Sequence, residues 1–159
     1  MSKSYPTVTL LIASGLLVSA GASTFHGARA DQPAPRAQYL RPTASKAPFS
    51  PAVRVGDMLY LSGQIGMTRE GKLPADFTEQ ARQTMENVGQ VLREAGSSFN
   101  EVVKCTAMLS DMSRWPDFNR VYVTYFKPDQ LPARSAFGAN GLAYGAMLEL
   151  ECTAYSPKR

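Results

Sequence analysis

The sequence predicts an α+β domain, an antiparallel-rich sheet with two helices packed on one of its faces. Three observations carry this. Runs with strand and helix character alternate in the order β-β-α-β-α-β-β. Two segments repeat apolar residues at helical spacing, the first of them with capping signals. The last strand, Met147 to Tyr155, alternates strictly, which suits a sheet with one face covered and one left open.

Ala52-Val53-Arg54-Val55 and Met58-Leu59-Tyr60-Leu61-Ser62 are β-rich and joined by Gly56-Asp57, a two-residue hairpin signal. Gly63 and Gly66 bracket the end of the second run, and Arg69-Glu70-Gly71-Lys72 reads as a turn. Asp76 offers an N-cap with Glu79 three positions on, a capping-box pattern. Phe77, Ala81, Thr84/Met85, Val88, Val91/Leu92 and Ala95 then recur at helical spacing, and Gly96 stops the helix. Val102 to Leu109 alternates as a strand, with Val103, Cys105, Ala107 and Leu109 expected on its apolar face. Trp115, Phe118, Val121/Tyr122 and Tyr125/Phe126 mark the second helix, which ends before Pro128. A short strand is expected around Ser135–Phe137. In the final strand Leu148, Leu150, Cys152 and Ala154 point one way, and Glu149, Glu151, Thr153 and Tyr155 the other. Cys105 and Cys152 read most simply as small core hydrophobes; a disulfide between them needs favourable geometry.

The chain has 159 residues, enough for one domain, and a formal net charge of +4. Residues 1–30 read as a secretory signal: Lys3, an apolar run from Val8 to Val18, and Ala28-Arg29-Ala30 as the cleavage signature. An uncleaved anchor is the alternative, but the run falls short of the ~20 apolar residues that span a bilayer. Export, with the mature chain periplasmic or secreted after cleavage at Ala30/Asp31, is the expectation, without stable membrane association. Residues 31–47 are rich in Pro, Ala and polar groups and read as a flexible linker. The domain is expected over 48–156.

The leader contains the single histidine, His26. Without it 129 residues remain with 15 basic and 13 acidic groups, a net charge of only +2. A histidine-free chain with two cysteines excludes Ser-His and Cys-His pairs, histidine-ligated metals and an imidazole base. Neither a metal nor a cofactor is expected. Near-neutral charge, without a basic stripe interleaved with aromatics, argues against a nucleic-acid partner.

Four separated motifs resemble those of the RidA/YjgF family of reactive-intermediate deaminases. They are Ala47-Pro48-Phe49-Ser50-Pro51-Ala52-Val53 with Gly56-Asp57-Met58-Leu59-Tyr60-Leu61-Ser62-Gly63-Gln64-Ile65; Gln80-Ala81-Arg82-Gln83-Thr84-Met85-Glu86-Asn87-Val88; Pro132-Ala133-Arg134-Ser135; and Leu148-Glu149-Leu150-Glu151. The resemblance covers about residues 46–156. It implies a chorismate-mutase-like fold, a homotrimer with clefts between subunits, and cofactor-free hydrolysis of enamines and 2-imino acids to 2-keto acids and ammonia.

By position, Arg134 resembles the family's carboxylate-binding arginine; a guanidinium offers a planar two-pronged donor to a carboxylate. Glu149 matches the acid that orients water, with Glu151 on the same face as a competitor. Asn119, Tyr122, Phe49 and Gly63 match further ligand-side positions. Tyr122 reads equally well as core, and Gly63 as a strand bulge. The chain departs from the family pattern at Phe49, where archetypal members carry Tyr, at Pro51, where Gln is frequent, and at Ala136, where Cys is common. A glycine-rich loop, Phe137 to Gly145, also stands out. The expected activity is therefore imine and enamine hydrolysis on a small 2-imino acid. A non-catalytic module that binds keto acids or amines on the same fold is the alternative.

Overall fold

The structure, a computed structural model, describes residue 34, residues 36–43 and residues 46–157. The expected leader lies outside the described residues.

Among the described residues seven strands and two α-helices follow one another as β1 (Ala37–Leu40), β2 (Ala52–Val55), β3 (Met58–Leu61), β4 (Gln64–Ile65), α1 (Phe77–Glu94), β5 (Val102–Leu109), α2 (Trp115–Tyr122), β6 (Ala133–Gly138) and β7 (Leu148–Tyr155). They form one sheet in the order β1-β2-β3-β7-β5-β6, with β4 also paired to β7. All pairings are antiparallel except β5 with β6. That parallel pair is made possible by α2, which carries the chain back between the two strands. The α+β, antiparallel-rich arrangement expected from the sequence is what forms.

Local chemistry explains most elements. Val55 pairs with Met58 across the Gly56-Asp57 turn, and Gly56 takes φ 57°, as such a turn demands. The Asp76 side chain accepts a hydrogen bond from Glu79 N at 3.0 Å, capping α1. Phe77, Ala81, Met85, Val88 and Leu92 bury one stripe of α1. Beyond it, Gly96 N donates to Arg93 O and Ser97 N to Leu92 O, the paired bonds of a Schellman ending. Leu148, Leu150, Cys152 and Ala154 of β7 are buried with Cys105, Ala107 and Leu109 of β5. Burying each large aliphatic side chain contributes about 1.5–3 kcal/mol relative to leaving it exposed.

Four features differ from expectation. Strand β1 runs through the segment assigned to a linker: Ala37, Gln38, Tyr39 and Leu40 pair antiparallel with β2. Mostly exposed side chains on an edge strand leave little apolar pattern to detect. In β5 the register shifts between Val102 and Lys104, so Val102 is buried while Val103 bulges out, 43% exposed. The α-helical part of α2 ends at Tyr122 and tightens into a 3₁₀ turn, Val123–Tyr125. Finally, Cys105 and Cys152 are joined by a disulfide rather than packing as separate thiols. They stand directly opposite in the β5·β7 pair, Cα atoms 4.1 Å apart, a juxtaposition that only the register reveals.

The helices cover one sheet face. The other bears Tyr39, Val55, Tyr60, Phe137 and Tyr155, each at least 36% exposed. None of the described helices is long and apolar enough to cross a membrane.

Candidate functional site

The six residues singled out from the sequence fall into two groups. The first is built around Arg134 on the edge strand β6. Arg134 pairs in register with Cys105, so its side chain turns to the helix-covered face and meets α2. Trp115, Asn119 and Tyr122 recur there at intervals of four and three, one face of the helix. The guanidinium carbon lies 4.3 Å from the Trp115 ring centre, 4.4 Å from Tyr122 and 5.5 Å from Phe118. Such contacts stabilise and orient a cation. Arg134 Nη2 donates to Asn119 Oδ1 at 2.6 Å, which fixes the plane of the fork.

Two polar atoms of this group are buried without a hydrogen-bond partner among the described residues: Arg134 Nη1 and the Tyr122 hydroxyl. Burial lowers the Arg134 pKa, with Tyr122 acting the other way. An arginine nonetheless stays charged at neutral pH. Burial also pushes Tyr122 up to about 12, despite the nearby guanidinium, so the phenol keeps its proton. Both orphaned groups are donors, and both suit an anion.

The second group surrounds Glu149. Between β3 and β4, three residues (61–63) oppose two of β7 (151–152), a bulge. Ser62 secures it: its N–H donates to Pro51 O at 2.9 Å and its hydroxyl to Ser50 O at 2.7 Å. These bonds hold the segment carrying Phe49 beside Gly63. A Cβ placed on Gly63 would stand 1.9 Å from Glu149 Oε1. The missing side chain is what lets the carboxylate lie against the bulge. Gly63 thus belongs to the bulge that the sequence offered as its alternative reading, and its bare Cα faces Glu149.

Phe49, Gly63 and Glu149 line one cavity of about 930 Å³, together with Asn87, Gln90 and Tyr144. Its wall toward α1 is held by Asn87, whose Nδ2 donates to Ile65 O at 2.8 Å and Met67 O at 2.9 Å. Glu151, the competitor on the same strand face, is exposed and does not line this cavity. The geometry favours Glu149.

The two groups do not meet within one chain. Arg134 points to the helix side of the sheet in register with Cys105 and Cys152. Glu149 is paired with Met108, on the opposite face. Trp115 and Tyr144 were not among the residues expected at the site. The spacing of Trp115 to Asn119 and Tyr122 was the available signal for the first; nothing in the sequence marked the second beyond its glycine-rich loop. Among the described residues no three His, Cys, Asp or Glu side chains cluster to hold a metal.

The model of the family described as Endoribonuclease L-PSP matches residues 40–156. The 2-iminobutanoate/2-iminopropanoate deaminase of Mus musculus is 41% identical over 113 residues, which span 70% of this chain and 83% of that protein. The chain belongs to the RidA/YjgF family. The human protein of the same deaminase name is 39% identical, over 67% of this chain and 79% of its own. RidA from the Antarctic bacterium Psychrobacter sp. superposes with a TM-score of 0.66 at 34% identity, covering 78% of this chain and 99% of that one. The YjgF product of E. coli gives 0.65 at 30% identity over 74% and 94%. The RidA fold assigned from the motifs is thereby established.

Proposed function

We propose that the chain hydrolyses 2-imino acids to 2-keto acids and ammonia, in clefts formed between copies of itself in a homotrimer. One observation carries this most: a guanidinium with an unengaged buried donor and a cleft carboxylate, placed on opposite faces of one sheet. Neither group alone makes an imine hydrolase. A second copy, laid over the open face and the β6 edge, would bring the Arg134 group of one subunit to the Glu149 cavity of the next. The exposed Tyr60, Phe137 and Tyr155 on that face support such a contact, because aromatic side chains are enriched at interfaces. The relatives' names as deaminases support the reaction.

In that cleft Arg134 holds the substrate carboxylate in a charge-assisted fork, steadied by Asn119 and the aromatic rings. Glu149 accepts a proton from water as its oxygen bonds to the imine carbon. That proton passes to nitrogen to give a carbinolamine; the proton of its new hydroxyl then follows to nitrogen as the C–N bond breaks, so that ammonia leaves and the carbonyl forms. Gly63 keeps the carboxylate and the water close to the backbone. No step calls for a metal or cofactor. We further propose that the chain is exported; the Cys105–Cys152 disulfide supports this, since such bonds persist in oxidising compartments.

The test generates imines with an L-amino-acid oxidase and follows their loss by semicarbazide trapping. Faster loss with the protein present is expected. No acceleration over buffer, alongside thermal stabilisation by 2-keto acids, would replace the enzyme by a ligand-binding module.

A further inference from the structure

The Glu149 cavity is far larger than a three-carbon imino acid requires, and it has a wall that imine chemistry does not explain. Phe49, Pro51, Ile65, Met67, Val91 and Tyr144 line it, and cavities of several hundred Å³ suit much bigger ligands. Two aromatic rings stand at it unburied: Phe49 is 53% exposed and Tyr144 83%. An aromatic side chain left this open loses the burial that ordinarily stabilises it.

Tyr144 is also the one non-glycine residue with positive φ among those described, at φ 58°, ψ 16°. That conformation is an outlier for a bulky side chain. The turn enforces it: Gly145 N donates to Leu142 O and Ala146 N to Ala143 O, each at 3.1 Å. Strain held by surrounding structure is a pointer to function. Here it turns an aromatic residue toward the cavity that contains Glu149, on a loop joining β6, which carries Arg134, to β7, which carries Glu149. Phe49, meanwhile, brings an apolar edge without a hydroxyl to the same cavity.

We propose that Tyr144 and Phe49 form a side-chain subsite beside Glu149, so that the enzyme selects 2-imino acids with aromatic or large apolar side chains over three-carbon ones. This rests on the deaminase reading. The substrate's side chain packs against the two rings while its carboxylate and imine carbon lie toward Arg134 and Glu149. Transfer of apolar surface onto the rings supplies the discrimination.

The experiment compares kcat/KM for the imines made from L-phenylalanine and L-alanine, in the wild type and in Tyr144→Ala. The wild type is expected to favour the phenylalanine-derived imine about tenfold or more, a typical gain for added apolar contact. Tyr144→Ala should collapse that ratio toward unity, chiefly through KM for the aromatic substrate, and Tyr144→Phe should restore it. A wild type that prefers the alanine-derived imine, or a ratio unmoved by Tyr144→Ala, overturns the subsite while leaving the deaminase intact. Hydrolysis of neither imine overturns both. Circular dichroism of the variants identifies any that fail to fold.

Discussion

Arg54 and Arg134 are both sequestered arginines on strands, yet their surroundings differ in kind. Arg54 is only 5% exposed. Its Nη1 donates to Ser156 O at 2.5 Å and its Nη2 to Ala95 O at 2.9 Å. Ala95 is the C-cap of α1, where a cation complements the helix dipole and satisfies end carbonyls. Arg54 thus ties the hairpin, the end of α1 and the residue that follows β7 into one unit. Arg134 has one nitrogen on Asn119, aromatic rings on its faces, and a buried Nη1 with no acceptor. A buried donor left unsatisfied costs about 1–3 kcal/mol, which a folding role does not explain. The contrast separates an arginine that closes the structure from one with a donor left over, the one proposed to take the substrate carboxylate.

The largest effect expected from that contrast is on catalysis. Arg134→Ala should lower kcat/KM for any 2-imino acid about 100- to 1,000-fold, the loss of charge-assisted carboxylate bonds. Its melting temperature should fall by only a few degrees, because the truncation orphans a single acceptor, Asn119 Oδ1, and at the same time removes the cost of the unsatisfied Nη1. Arg54→Met should do the reverse. It leaves one buried carbonyl, of Ser156, and one partly buried, of Ala95, without their donor and should destabilise the fold by about 2–4 kcal/mol, measured by denaturant unfolding, with kcat/KM of the folded fraction within about twofold. An Arg134 variant that unfolds, or an Arg54 variant that is stable but inactive, would break the distinction.

The smallest effect concerns Tyr122, beside Arg134. Its pKa is raised from 10 to about 12 by burial, so the folded state holds the phenolic proton more tightly than the unfolded chain. That contribution is complete below about pH 10 and is lost as pH rises toward 12. Tyr122→Phe should therefore flatten part of the alkaline fall in melting temperature. Tyr125, likewise raised to about 12 by burial and by its bond to Glu86, retains the rest. An unchanged alkaline profile would show that the Tyr122 ring is not held as described.

Much of this fold is legible in the sequence, because its signals are local. The Gly56-Asp57 turn, the Asp76 cap and the alternation along β7 each depend on neighbouring residues alone. What escapes is set by register. The one-residue slip in β5 sends Val103 outward and brings Cys105 opposite Cys152, and no composition reveals it. Strand β1 is hidden because its stability lies in backbone pairing rather than in buried side chains. The site divides the same way. Arg134 and Glu149 are singled out as candidates by their motifs. That Glu149 rather than Glu151 faces the cavity follows from the bulge at Gly63, and the separation of Arg134 from Glu149 follows from strand pairing.

The central claim is that one chain carries two half-sites and that a second copy completes them. Subunit mixing tests it most directly. Arg134→Ala and Glu149→Gln proteins, each inactive alone, are unfolded together, refolded at equal concentration and assayed for imine hydrolysis. In a cyclic trimer every mixed assembly contains one cleft with both residues intact, so random assortment should restore roughly a quarter of wild-type activity. A mixture that forms mixed trimers and stays as inactive as its parents would contradict the account, and would move the carboxylate to Lys46 or Arg69, the cations lining the Glu149 cavity itself.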